Sequence, residues 1–264
     1  MKIYTLEELQ EQDVKDVIQI EIDWSMAYYG KEEIYKLSQE ISKCFNLDYL
    51  IINLKGNSIG NEYLGLLAQN ITKCTKIYNL ELILEWNSIW NQGIQKFGAQ
   101  IQKLTNLINL SLDLRINSIR KEGALYLGQA ISHFSKLQNL ELFLGNNFVR
   151  EGAVMLLLEI RKCQDIQRLA LEFNLNSIDD NDLQQFGQNI LNFKNLKEFS
   201  LDLKQNYELT SMAQSKLVNQ IQKCQKLTCL KFCFENIDQD EEVYQQILNS
   251  LYKIKRLTFF QLSI

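Results

Sequence analysis

One spacing governs what this chain can fold into. The aliphatic residue that opens a short alternating segment recurs as Leu47, Ile77, Leu107, Leu137, Ile166, Leu196, Leu227 and Leu257, in steps of 30, 30, 30, 29, 30, 31 and 30 residues. An asparagine keeps the same period at Asn57, Asn87, Asn117, Asn147, Asn176, Asn206 and Asn236. A weaker copy precedes these, with Val17 opening "VIQIEIDW". A unit of this length cannot bury its apolar face alone. Neighbouring copies must stack and share one continuous core.

Each unit divides in two. The first part reads L-x-x-L-x-L-x-L, a period of two that predicts a strand of about six residues. The second is roughly 12 residues long with apolar positions at helical spacing, such as Ala124, Leu127, Ile131 and Phe134. One helix position is small in most units (Ser38, Ala68, Gly98, Gly128, Gly187). Glycine inside a helix costs up to about 1 kcal/mol relative to alanine, so this column predicts close packing of helix on sheet. The asparagine falls where strand gives way to helix. A chain that turns there leaves backbone groups in need of partners, and a side-chain amide offers both a donor and an acceptor. Repeated at one corner, these amides predict an asparagine ladder through the stack.

Strand, asparagine turn and helix in the pattern L-x-x-L-x-L-x-L-x-x-N-x-I resemble the leucine-rich repeat family over residues 14–264, and the long helix is similar to the ribonuclease-inhibitor-like subtype. The resemblance implies an α/β solenoid, a horseshoe of about eight to nine repeats, with a parallel sheet on the concave face and helices on the convex face. It also implies protein binding on the concave face. One departure stands out. The asparagine lies ten residues after the opening Leu in most units, one more than the family pattern. The extra residue (Trp86, Ile116, Asn146 or Leu175) predicts a longer strand or a bulge.

The domain expected is single, 1–264. Residues 1–13 form an N-terminal cap segment, with Thr5 and Glu8 as a capping box, and 14–264 carry the repeats. The last strand, "LTFFQLSI", has no helix after it. An uncapped edge bearing Phe260 and Leu262 invites association, so cover by another subunit, a symmetry mate or further sequence is expected.

The chemistry-bearing residues fall into structural columns. His133, the one histidine, shares a column with Lys43, Lys73, Lys103, Lys162, Lys223 and Lys253, which predicts a cation in the last helical turn beside the negative end of the helix dipole. Phosphate or acidic-protein contact is the other reading of that basic column. Cys44, Cys74, Cys163 and Cys224 alternate with Leu and Phe in another column, as small buried hydrophobes do. Cys229 and Cys233 point to one strand face without the spacing of a zinc site. There is no GxxxxGK[ST] or GxGxxG motif. The expectation is a non-enzyme with no cofactor and no metal.

Alternation assigns the sheet face opposite the helices. It carries Glu21, Asp23, Glu81, Ile83, Glu85, Asp113, Arg115, Glu141, Phe143, Glu172 and Asp202 as candidate partner-binding residues. Across the whole face nine carboxylates oppose four cations, a balance of −5 against −4 for the chain. Such a concavity favours a basic protein partner and disfavours nucleic acid. A merely solvated sheet face is the competing reading. Trp90 falls in a turn column and is read either as an edge contact or as packing over a neighbouring loop.

No apolar run approaches the ~18 residues needed to cross a membrane, and the acidic start "MKIYTLEELQEQD" is unlike a secretion signal. Abundant Asn, Gln, Ile and Lys without Pro fit an AT-rich genome, a ciliate's among them. The expected setting is cytoplasmic, or ciliary, and not secreted. The expected function is a protein-interaction module or scaffold. A small-GTPase regulator (GTPase-activating-protein-like) and a structural subunit of a large assembly, such as a ciliary one, are the alternatives.

Overall fold

The computed structural model describes residues 2–3, 6–10, 14–234 and 241–263. The proposed Thr5 cap, Glu235, Asn236 and Ile264 lie outside them. A two-residue strand β1 (Lys2–Ile3), a short helix α1 (Leu6–Gln10) and a 3-10 turn (Val14–Asp16) lead into the array. Eight strand–helix units follow: β2 (Gln19–Asp23) and α2 (Lys31–Ile41), β3 (Tyr49–Asn53) and α3 (Gly60–Ile71), β4 (Asn79–Ile83) and α4 (Asn91–Ile101), β5 (Asn109–Asp113) and α5 (Lys121–Ile131), β6 (Asn139–Phe143) and α6 (Gly152–Ile160), β7 (Arg168–Glu172) and α7 (Asp180–Ile190), β8 (Glu198–Asp202) and α8 (Ser211–Ile221), β9 (Cys229–Cys233) and α9 (Glu241–Tyr252). The final strand is β10 (Phe259–Ser263).

The strands form one open parallel sheet in sequence order. Register is strict: Leu50, Leu80, Leu110, Leu140, Leu169, Phe199, Leu230 and Phe260 align across eight strands. The fold class expected is the one observed, a leucine-rich repeat solenoid. Its curvature follows from packing distances. Paired strands sit ~4.8 Å apart and packed helices about 8–10 Å apart, a roughly twofold contrast that favours bending of the stack with the sheet on the inner side. The alternate Leu, Ile and Phe residues of β2 to β9 and the apolar stripe of the helices α2 to α9 are buried between the two layers. Each such side chain contributes roughly 1.5–3 kcal/mol.

The asparagine ladder is present. Asn117 Nδ2 donates to the carbonyls of Leu84 (3.1 Å), Leu114 (3.0 Å) and Arg115 (3.0 Å), while its Oδ1 accepts from the amides of Asn87 (3.0 Å) and Ile89 (2.9 Å). Asn57, Asn87, Asn147, Asn176 and Asn206 bond in the same manner, each reaching from its own corner into the preceding one.

Four expectations need correction. The strands of the repeats, β2 to β10, have five residues, against the expected six or so. The extra residue before each asparagine makes neither a longer strand nor a bulge. It adopts the left-handed conformation (φ 56° at Trp86, 52° at Ile116, 52° at Asn146, 54° at Leu175) and turns the chain sharply, side chain outward. That conformation costs about 1–2 kcal/mol for a non-glycine residue; the bonds of the adjoining asparagine offset it. The small helix column serves helix-on-helix contact, not helix-on-sheet: a Cβ on Gly128 would lie 3.0 Å from Leu156 O, and one on Gly98 3.0 Å from Ala130 Cβ, both in the next helix. The lysine column lies just past the helix ends rather than in the last turn. Lys73 Nζ bonds Asn70 Oδ1 at 2.9 Å, Lys103 Nζ bonds Gln100 Oε1 at 2.6 Å, and His133 Nδ1 lies 2.9 Å from Gln129 O.

Candidate protein-docking face

The candidate residues stand on the sheet face away from the helices, as alternation requires, and the structure sorts them into three groups. The first closes the strand ends. Asp23 Oδ1 accepts from Ser25 N–H (3.1 Å) and Oγ (2.7 Å), Asp113 Oδ1 from Arg115 N–H (3.1 Å) and Asp202 Oδ1 from Lys204 N–H (3.0 Å). These carboxylates fasten the turn out of the strand.

The second group surrounds Arg115. Its guanidinium grips Asp113, with Nε 2.9 Å from Oδ1, and lies 3.7 Å from Glu85 and 3.9 Å from Glu172. Glu85 also takes Lys55 Nζ at 2.8 Å. Glu85 and Asp113 are buried by this network. Phe143 is half-buried beneath the same guanidinium, whose carbon is 5.6 Å from the ring centre; Ile83 is half-buried too. Burial pushes the Glu172 carboxyl up to about 7; Asp202, Asp113 and Glu85 add to the rise and Arg115 opposes it. Burial wins because Arg115 is already committed to Asp113.

The third group is Glu81 and Glu141, with Glu21 further along the same column. Glu81 and Glu141 flank Ser111 and form no ion pair or hydrogen bond among the described residues, although Glu141 lies within the field of Arg168. Desolvation first, then the charges of Glu141 and Glu21, raise the Glu81 carboxyl above its ordinary value. The two carboxylates line a hollow of about 220 Å³ with Tyr49, Asn79, Asn109, Ser111, Asn139 and Arg168.

Sequence reasoning missed that rim. Asn79, Asn109 and Asn139 form a second amide ladder, Asn109 Nδ2 donating to Asn79 Oδ1 and Asn139 Nδ2 to Asn109 Oδ1. Arg168 beside it is held by Glu198 at 2.8 Å. The signal was present: these residues lie two positions before Glu81, Ser111, Glu141 and Ala170, so the alternation read one step earlier puts them on the same face.

Trp90 is 60% exposed, not packed over a neighbouring loop. Phe260 and Leu262 are half-buried on β10. All six cysteines are free thiols. Burial lifts the column of Cys44, Cys74, Cys163 and Cys224 to about 11, 12, 11 and 11, so these thiols are poor nucleophiles. Among the described residues no three His, Cys, Asp or Glu side chains are grouped to hold a metal ion, and no helix is long and apolar enough to cross a membrane.

Neither a protein-family model nor a curated protein matches the chain. Among solved structures, an internalin C2 from Listeria monocytogenes is similar at 16% sequence identity and a TM-score of 0.45, over 88% of this chain and 84% of that one.

Proposed function

We propose that this chain is a protein-interaction module whose sheet face receives a basic segment of a partner protein. Glu81 and Glu141 are the principal contacts. One observation carries this reading: the two carboxylates are held on either side of β5 with no ion pair of their own among the described residues, and Glu81 is partly desolvated. A lysine or arginine from a partner, seated over Ser111, supplies the missing charge and forms a charge-assisted hydrogen bond. The Arg115 group plays a different part. Its charges are answered internally, so it stiffens the floor and presents Phe143 and the aliphatic part of Arg115 as apolar area. The helical return of nine to twelve residues in each unit from α2 to α9 supports the ribonuclease-inhibitor-like reading of the repeat subtype.

The test is selection of a random peptide library on wild-type protein and on Glu81→Lys/Glu141→Lys. We expect a Lys- and Arg-rich class to be enriched on wild type and lost on the variant. Both side chains point away from the core, so the variant stays folded. If no such class emerges, or if it survives both reversals, the sheet face is not the site.

A further inference from the structure

We propose a second docking surface, on the rim where strands turn into helices, that receives an acidic segment of a protein partner bearing aromatic or aliphatic side chains. Trp90 and Phe148 are 60% and 58% exposed there. Parallel backbone bridges, Trp90 to Ser118 and Arg120 to Phe148, tie three consecutive corners together. Ser118 N–H donates to Ile89 O at 2.8 Å and Phe148 N–H to Ile119 O at 2.9 Å, so these side chains project from a fixed backbone. Two hollows of about 490 and 410 Å³ lie side by side, with Arg120 and Phe148 lining both. Trp90 lines only the first and Arg150 only the second.

The two hollows carry three cations, Arg120, Lys121 and Arg150, against two carboxylates, Glu122 and Glu151, a balance of +1. Glu122 accepts from Asn91 Nδ2 at 2.9 Å, and Glu151 is paired with Lys121 at 3.2 Å. Arg120 and Arg150 are exposed and form no ion pair among the described residues; Arg150 lies within the field of Glu151 and borders a further hollow with Asp179, Asp182 and Glu208, so Arg120 is the freer of the two. The helix starts add the same sign. Trp90 and Arg120 hold the cap positions of α4 and α5 with no side-chain cap bond of their own; their own amides bond Asn61 and Asn91 Oδ1 of the preceding repeat, and the first amides of α6 bond the carbonyls of Val149 and Arg150. In α7 and α8 the cap position holds Asp179 and Thr210, which accept from Asp182 N–H (2.8 Å) and Ala213 N–H (3.2 Å). A Ser, Thr or Asp at 90 or 120 would cap in the same way and favour stability. Trp and Arg forgo that bond and leave exposed groups of the two kinds that dominate protein-binding hot spots.

A partner carboxylate placed here meets a guanidinium and uncapped amides together, while an adjacent apolar side chain lies on Trp90 or Phe148. Single-stranded nucleic acid also stacks on aromatics and pairs with arginine. The net charge of −4 and the neighbouring carboxylate face repel a polyphosphate far more than a short peptide with a few carboxylates. This surface is separate from the sheet face and opposite in sign.

The test is selection of the same library on wild type, on Arg120→Glu/Arg150→Glu and on Glu81→Lys/Glu141→Lys. Circular dichroism confirms that each is folded. We expect a class rich in Asp or Glu with Trp, Phe or Leu, whose binding weakens at least about tenfold on the arginine variant and persists on the glutamate variant. Trp90→Ser should weaken the same class. Should the reversals perturb folding, Arg120→Gln/Arg150→Gln gives the same comparison. The proposal is overturned if no peptide class depends on Arg120 and Arg150, or if the dependent class is not acidic. It also fails if oligothymidylate displaces the peptides through the same arginines, or if sedimentation shows that these arginines serve self-association.

Discussion

The asparagine column and the carboxylate columns run side by side through the same repeats, yet one is fully bonded and the other is not. Every Asn from Asn57 to Asn206 spends its amide on backbone groups that the corner would otherwise leave unpaired. On the sheet face Asp113 and Glu85 are paired with Arg115 and Lys55, while Glu81 and Glu141 form no ion pair among the described residues. Polar groups required by the fold are satisfied within it. Those held in place without a partner are the ones available to a ligand, at some cost to stability.

The largest expected effect tests the bonded column. Asn117→Ala leaves three carbonyls and two amides short of a bond, and we expect a loss of about 3–5 kcal/mol in urea unfolding. A loss under about 1 kcal/mol means the corners rearrange freely and the ladder is not what holds them. Next is Arg115→Ala. The pair with Asp113 is partly solvated, so we expect a loss of about 1–3 kcal/mol, below that of a fully buried pair. If stability is unchanged, the answered carboxylates are no better bound than the unanswered ones and the comparison breaks.

Glu172 gives a pH signature. Its carboxyl titrates near 7 when folded and near 4.5 in the unfolded chain, so the folded protein holds an extra proton between those values. Its contribution is fully present below about pH 4.5 and is lost as pH rises through 7, on the order of 1–3 kcal/mol over that window. Thermal melts from pH 5 to 8 should show this decline, and Glu172→Gln should flatten it. A variant with the same slope as wild type assigns the decline elsewhere. The smallest effect is Glu81→Gln/Glu141→Gln. Removing two carboxylates that form no ion pair, Glu81 being desolvated as well, should raise stability at pH 7, by less than about 1 kcal/mol. A clear loss instead would show that these residues hold the sheet together.

The sequence by itself determined the repeat, the alternation, the helical return and the role of the asparagine. Each is a local pattern or a direct consequence of backbone groups that must be paired, and stacking identical units leaves little freedom in how they meet. It also assigned residues to faces, because a strand's period of two is fixed by its geometry; the second amide ladder at Asn79, Asn109 and Asn139 was legible by that rule one step earlier. Only the tertiary structure decided which face residues find each other. Arg115 reaches across strands to Glu85 and Glu172, Gly128 yields to Leu156 of the next helix, and Trp86 turns outward at a positive φ. These depend on distances between repeats and on competition among several acceptors for one cation. A linear pattern states the period of such contacts but not their outcome, so the difference between an answered and an unanswered carboxylate appears only once the strands are paired.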